Sequence, residues 1–274
     1  MPELPEVETI VRGLKEPLEG KIFLSVEVLR ADLLREEPAD FVQELTGCRV
    51  QVVARRGKNI VMNLDRDAVL VVNLGMTGRL LVPGADSAHP GVRFSLSSGS
   101  ELVYDDVRRF GVLERLSRKE WAERSRTLGP DPLEPGFTAR HLEDALAGSR
   151  APVRSWLLDQ RKVAGVGNIY ANEALHRAGV HPARLAGSID REEALALHGS
   201  LRTVLRSAIH RKGTTLRDYR DSSGEPGSFS AELRVYGRVG LPCRRCGAGI
   251  ERVVFGNRSA FFCPSCQPSP TAFA

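Results

Sequence analysis

Two groups of residues in this chain have types and spacing that chemistry can use. The first is the opening stretch Met1-Pro-Glu-Leu-Pro-Glu-Val-Glu8. Methionine ahead of a small residue is normally trimmed, which leaves Pro2 as the amino terminus. A terminal proline is a secondary amine held by its ring, and an α-amino group titrates near about 7.7 to 8.0, so part of it is unprotonated at neutral pH. Such an amine attacks carbonyl-like carbons to form Schiff bases, dividing one hard displacement into easier steps. Glu3 beside it offers a carboxyl that would move the proton. The same residues also read as an ordinary helix start, since proline suits the first turn and glutamates complement the positive end of the dipole.

The second group is Cys243-x-x-Cys246 and, after sixteen intervening residues, Cys263-x-x-Cys266. Two such pairs place four thiolates around one tetrahedral ion, and a closed set of four cysteines indicates one structural zinc ion rather than a catalytic one; a reduced or disulfide-linked pair of knuckles is the alternative. Between the pairs, Arg252 to Phe255 and Ser259 to Phe262 are strand-like around a Gly256-Asn257 turn, so Arg258 sits at the tip of a small hairpin, placed for a phosphate or merely solvated. Cys48 stands apart and reads as a small buried hydrophobe.

Other stretches carry residues that a core alone does not explain. Gly165-Val-Gly167 permits a tight turn with Asn168 opening a helix, so free backbone N–H groups and the Asn amide can face an anion, although a plain helical corner reads equally well. Lys58, in Arg55-Arg-Gly-Lys58, lies at a strand-to-strand turn within reach of a phosphate or sugar, or is an ordinary basic hairpin tip. Arg108 and Phe110, in Asp105-Asp-Val-Arg-Arg-Phe-Gly111, and Met76, in Asn73-Leu-Gly-Met-Thr-Gly78, read either as core residues or as exposed wedges of the kind that inserting DNA-binding loops use.

The elements that must position these residues follow from periodicity. Val7, Val11, Leu14 and Leu18 predict an amphipathic helix from about Pro5 to Leu18. Alternation predicts a strand over Lys21–Leu29, and short runs, mostly rich in β-branched residues and separated by Gly, Asp or Ser turns, predict strands over Arg49–Ala54, Asn59–Leu64, Ala68–Leu74, Val92–Leu96, Glu101–Tyr104 and Val112–Leu116, a pattern that suits a sandwich or barrel. The proline-rich Gly129-Pro-Asp-Pro-Leu-Glu-Pro-Gly136 breaks helix and ladder alike and reads as a linker. Beyond it the chain turns helical. Thr138 caps one helix, Pro152 opens a second, and an Asp190/Glu193 capping box opens a long one that Gly213 ends. Asp221 to Ser230 is a polar, glycine-rich loop long enough to move.

With 274 residues the chain has room for two cores, and 39 Lys and Arg against 34 Asp and Glu give a formal charge of +5, a modest excess that suits a nucleic-acid partner. No apolar run approaches the ~20 residues that span a bilayer, and the acidic start lacks the positive flank of a signal peptide, so a cytosolic protein is expected. Nothing resembles a P-loop or a dinucleotide fingerprint, which removes nucleotide-cofactor readings.

Taken together, Pro2 to Glu8, Arg55 to Lys58, Leu74 to Gly78, Arg108 to Gly111, Gly165 to Glu173 and the four-cysteine hairpin resemble one family across nearly the whole chain. It is the formamidopyrimidine-DNA glycosylases, the base-excision-repair group that also contains endonuclease VIII. The resemblance implies an α+β protein of two domains: an amino-terminal β-sandwich flanked by helices (1–127), a linker (128–136), then a helix–two-turns–helix domain (137–236) ending in a β-hairpin zinc finger (237–270), with DNA between the domains. It implies a monomer acting on damaged double-stranded DNA as a glycosylase and apurinic/apyrimidinic lyase, excising 8-oxoguanine and formamidopyrimidines by a Schiff base followed by β,δ-elimination. An endonuclease VIII-like enzyme for oxidised pyrimidines and a non-catalytic zinc-finger relative are the alternatives.

Carried over residue by residue, Pro2 resembles the family's nucleophile at C1′ and Glu3 its acid/base. Lys58, Asn168 and Arg258 resemble its phosphate clamp, Lys58 also serving the lyase step. His89 resembles a DNA-contacting histidine, and Met76, Arg108 and Phe110 resemble the triad that fills the space left by a flipped base. The chain departs from the family at several places. Val107 replaces the usual proline before the arginine pair, Gly91 a second histidine, and Arg217 a lysine whose geometry differs. Leu4, rather than the glycine of endonuclease VIII, leans toward oxidised purines.

Overall fold

In this computed structural model, residues 2–82 and 85–269 are described. Met1, whose trimming would expose Pro2, and residue 270, the last of the expected finger segment, lie outside them. The chain forms two compact units: residues 1–127 with 208–230, and residues 128–207 with 231–274. The division therefore falls inside the last long helix, and residues 208–230 group with the amino-terminal part.

The first unit opens with helix α1 (Leu4–Leu18), where predicted, its buried stripe made by Leu4, Val7, Ile10, Val11, Leu14 and Leu18. Two four-stranded antiparallel sheets follow. One has the order β1 (Phe23–Val28), β6 (Pro90–Leu96), β7 (Glu101–Asp105), β5 (Arg79–Leu81); the other β2 (Val50–Arg56), β3 (Asn59–Leu64), β4 (Ala68–Asn73), β8 (Val112–Ser117). Their inner faces and α1 share one core containing Phe23, Phe41, Phe94, Ile60, Met62, Leu70 and Leu113. Helix α2 (Pro38–Leu45) contributes Phe41 and Leu45 to it.

The strands match the expected spans to within a residue or two, and β4 is buried on both faces. Its outer residues Val69 and Val71, with Val61, are covered by Trp121 of α3 (Arg118–Arg126). Residues 208–230 join this unit through polar ties: Thr214 N–H donates to Glu6, and Val82 N–H to the Ser222 carbonyl. Ser222 also packs so closely on Gly13 that a side chain there would collide with its hydroxyl. The loop from Asp221 is held at its base, where the Asp221 carboxylate accepts from Ser223 and Glu225 amides at 3.0 Å and lies 3.5 Å from Lys212 Nζ.

The second unit is helical. Thr138 caps α4 (Ala139–Leu146) by accepting from His141 N–H at 3.1 Å, and Pro152 precedes α5 (Val153–Leu158). Helix α6 (Asn168–Ala178) ends on Gly179 in the left-handed conformation, φ 76°. Helix α7 (Arg191–His210) opens on the predicted reciprocal pair, Asp190 N–H to Glu193 Oε2 at 3.1 Å and Glu193 N–H to Asp190 Oδ1 at 2.9 Å. The unit closes with the hairpin β9 (Glu251–Phe255) and β10 (Arg258–Phe262), in which Arg258 pairs with Phe255 beside the turn.

Candidate functional site

Helix α1 begins one residue after Glu3, which places Pro2 and Glu3, both buried, at its mouth. Glu6 fixes this geometry. One of its carboxylate oxygens accepts from Glu3 N–H at 2.8 Å and the other from Thr214 N–H at 2.7 Å, so a fully buried carboxylate spends both oxygens on backbone amides. Sequence reasoning passed over Glu6, although its i+3 spacing from Glu3 is that of a capping pair.

Further along the same helix, Glu8 accepts from Arg55 Nε at 3.0 Å, and Arg55 Nη1 donates to the Gly57 carbonyl at 3.1 Å. These bonds tie α1 to the β2–β3 turn that carries half-buried Lys58. Burial would raise the Glu8 carboxyl, but Arg12 and Arg55 hold it below the ordinary carboxylate value. Gly57 has φ 59°, a left-handed conformation that a side chain would strain.

Met76 and Phe110 are 40% and 56% exposed, which decides against the core reading of both. Their two loops form one assembly. Asp106, 2% exposed, accepts from Thr77 Oγ1 at 2.5 Å and Arg108 N–H at 3.2 Å on one oxygen, and from Gly111 N–H at 2.8 Å and Tyr104 OH at 3.3 Å on the other. Gly75, φ 56°, lies so close to the Phe110 carbonyl that any Cβ would collide with it. The Arg108 guanidinium carbon lies 4.7 Å from the Phe110 ring centroid, a cation stacked on an exposed aromatic.

Neighbouring Asp105 accepts from Arg79, from Ser87 Oγ at 2.9 Å and from His89 N–H at 2.6 Å. Burial would raise its carboxyl, yet these donors keep it below its ordinary value. His89 itself is exposed and lines a groove of about 460 Å³ with Arg30, Val107 and Arg109.

In the second unit the glycine turn delivers Asn168 to the first position of α6. Its side chain donates to the Ser259 carbonyl at 3.1 Å and accepts from Arg154 Nη2 at 2.6 Å; Arg154 also donates to that carbonyl at 3.0 Å. Asn168 and the hairpin residue next to Arg258 are thus bonded to each other. Arg154 is 1% exposed, and its Nε has no hydrogen-bond partner. Burial, and then the charge of Arg258, lower its pKa, so two cations stand together at a helix amino terminus. That combination favours an anion. Nothing in the sequence singled out Arg154, because an arginine in the first turn of a helix ordinarily points to solvent.

The rest of α6 grips the finger. Asn172 Oδ1 accepts from Phe261 N–H at 2.8 Å, and the buried Glu173 carboxylate accepts from the amides of Arg234, Val235 and Tyr236 at 2.9, 3.0 and 2.9 Å. The ligand atoms of Cys243, Cys246, Cys263 and Cys266 all lie within 4.8 Å of one another. Val235, Ile250 and Phe261 pack around Cys243 and Cys263. Four sulfurs that close, a full tetrahedral set of thiolates, fit one zinc ion in a structural site.

Three family models match successive parts of the chain: the formamidopyrimidine-DNA glycosylase N-terminal domain over residues 1–113, the formamidopyrimidine-DNA glycosylase H2TH domain over 128–220, and the zinc finger found in FPG and IleRS over 240–268. A formamidopyrimidine-DNA glycosylase of Rhizorhabdus wittichii is 47% identical, the match covering 97% of this chain and 100% of the relative. Two solved structures of the Lactococcus lactis FPG superpose with a TM-score of 0.90 over 98% of this chain and 100% of theirs. One is the G226P mutant with a Fapy-dG containing DNA (33% identical) and the other the wild type with an oxidized pyrimidine containing DNA (31% identical). On these grounds the chain belongs to the formamidopyrimidine-DNA glycosylase family of DNA-repair enzymes.

Proposed function

We propose that this chain is a bifunctional DNA glycosylase and apurinic/apyrimidinic lyase that removes oxidised purines, 8-oxoguanine and formamidopyrimidines, from duplex DNA. With Met1 removed, the Pro2 nitrogen attacks C1′ of the damaged nucleotide, the glycosidic bond breaks, and the base leaves with a proton supplied through Glu3. The proline nitrogen then loses its proton and the C1′–O4′ bond breaks with protonation of O4′, opening the sugar ring to an iminium that acidifies the neighbouring C2′ proton, so β-elimination expels the 3′ phosphate and δ-elimination the 5′ phosphate. Lys58, Asn168 and Arg258 hold backbone phosphates, and Met76, Arg108 and Phe110 fill the space left by the flipped nucleotide. In a bacterial cytosol the substrate would be the nucleoid.

The observation that carries this reading is the mouth of α1, where Pro2, whose nitrogen becomes a secondary amine once Met1 is removed, adjoins the buried Glu3, with the Glu3 backbone fixed by Glu6 at 2.8 Å. A non-catalytic DNA-binding relative would have no use for that arrangement. The crystallised oxidised-pyrimidine complex of a relative keeps a second substrate class in view.

Borohydride reduction in the presence of an abasic or 8-oxoguanine duplex should trap a covalent protein–DNA adduct, and an uncleaved extension ahead of Pro2 should abolish it. Trapping that survives both the extension and Pro2→Gly would move the nucleophile elsewhere, Lys58 being the obvious suspect. A parallel duplex containing thymine glycol, processed faster than 8-oxoguanine, would assign the pyrimidine class instead.

A further inference from the structure

Helix α6 carries at one end Asn168 and, two turns on, a residue that neither the family resemblance nor the reading above employs. His176 is buried at 4% exposure, and its Nε2 lies 3.5 Å from Sγ of Cys243, itself 3% exposed. The two atoms come from different elements, 67 residues apart in the chain. A metal-bound thiolate has no proton to give, so of the two groups only the imidazole can donate: Nε2 carries the hydrogen and Sγ accepts it. Two other N–H···S bonds, Arg245 N to Cys243 Sγ at 3.4 Å and Cys266 N to Cys263 Sγ at 3.5 Å, arise within the knuckles themselves. His176 reaches the set from outside.

We propose that His176 is a positioning residue of the zinc centre: its Nε2–H bond to the Cys243 thiolate keys the metal site to helix α6. Four thiolates around one dication carry a net charge of −2, and each donated hydrogen bond withdraws part of that charge from sulfur. Removing one leaves a more basic sulfur that is more readily protonated and released. Outer-shell partners of metal ligands are typically worth about 10- to 100-fold in affinity.

The bond also completes a ladder along one helix face. Asn168, Asn172 and His176, at i, i+4 and i+8, meet successively the Ser259 carbonyl, the Phe261 amide and the Cys243 sulfur over about 12 Å of helix rise. The element that presents Asn168 is thereby fixed to the metal at its far end.

The test uses the full-length, zinc-loaded protein and three forms: wild type, His176→Phe, which keeps the bulk without a donor, and His176→Gln, which keeps an N–H of similar reach. Zinc release to a colorimetric chelator and the sulfur-to-metal charge-transfer band of the cobalt-substituted protein are both read. His176→Phe should release zinc about 10-fold faster, and its charge-transfer band should move to lower energy while the ligand-field bands keep their four-sulfur pattern. His176→Gln should restore both toward wild type. Should His176→Phe fail to fold with metal, His176→Gln decides alone: release near the wild-type rate supports the assignment, and release accelerated 10-fold or more overturns it. Unchanged release and spectrum in His176→Phe would also overturn it, as would wild-type ligand-field bands that show nitrogen bound to the metal, since His176 would then be a ligand.

Discussion

At the scale of single residues, carboxylates position several of the proposed site residues: Glu6 accepts from the Glu3 amide, Glu8 from Arg55 beside the Lys58 turn, and Asp106 from the Arg108 amide. Asp106 satisfies four donors, from β7, its own loop and the Met76 loop, while buried at 2% exposure. Replacing it with asparagine turns half of that acceptor into a donor facing other donors. Asp106→Asn should therefore cost about 1 to 3 kcal/mol of stability, the usual cost of unsatisfied buried groups, measurable as a lowered urea midpoint with an unchanged m-value. The same loop presents Arg108. A guanidinium in the space of the flipped base would donate to the exposed O2 and N3 of an orphaned cytosine, whereas adenine shows it a different edge. A preference of about 1 to 3 kcal/mol for cytosine follows, the usual worth of a directional base contact. Arg108→Ala should narrow the ratio of single-turnover excision opposite cytosine and adenine while abasic-site cleavage persists at a reduced rate. A wild-type ratio near one would remove that role. Val107 lacks the ring of the family's usual proline, but the four bonds to Asp106 restrain the loop independently of it.

At the scale of elements, the zinc hairpin is too small to keep its shape without metal: its core is four residues, Val235, Cys243, Ile250 and Cys263, with partly buried neighbours. Cys263→Ser should release zinc and weaken DNA binding without changing the thermal unfolding of the sandwich. Arg258→Ala should weaken binding with zinc retained, and wild-type affinity in both variants would exclude the finger from binding. Most elements were legible in the sequence because each has a local signature. Strands β6 and β7 alternate, α4 and α7 carry caps, and the four-cysteine spacing names its own metal. What escaped has no local signature or a misleading one. Strand β5 is three residues long, and α3 reads Arg-Lys-Glu-Trp-Ala-Glu-Arg-Ser-Arg, a charged run whose single apolar anchor is Trp121, although Ser117 and Glu120 do form a capping box. The bonds from Arg154 to Asn168 and Ser259, and from Glu6 to Thr214, join residues 14, 105 and 208 positions apart. Such pairs exist only after folding, so no window of sequence contains them. The last of these ties joins residues 208–230 to the amino-terminal unit with which they group.

At the scale of the whole molecule, the proposed phosphate clamp is divided between the two compact units, Lys58 in the first and Asn168 and Arg258 in the second. Its members also differ in charge, which makes their contributions separable. Each cation that neutralises a phosphate displaces condensed counterions, so the logarithm of the binding constant falls with the logarithm of salt concentration at about 0.9 per phosphate neutralised on duplex DNA. A neutral amide that bonds to a phosphate displaces none. Titrating a duplex with a non-cleavable abasic analogue over a range of salt should therefore give three distinct results. Lys58→Ala and Arg258→Ala should each weaken binding and make the slope shallower by about one. The double variant should lose about two, because the side chains neutralise different phosphates. Asn168→Ala should weaken binding at every salt concentration with the slope unchanged. The formal charge of +5 sets the background attraction that all four proteins share, and it differs among them only by the charges removed. A shallower slope in Asn168→Ala would mean that its loss also displaces the neighbouring cations, for which the Arg154 bond to Asn168 at 2.6 Å provides a route. An unchanged slope in Arg258→Ala would remove the hairpin arginine from the clamp.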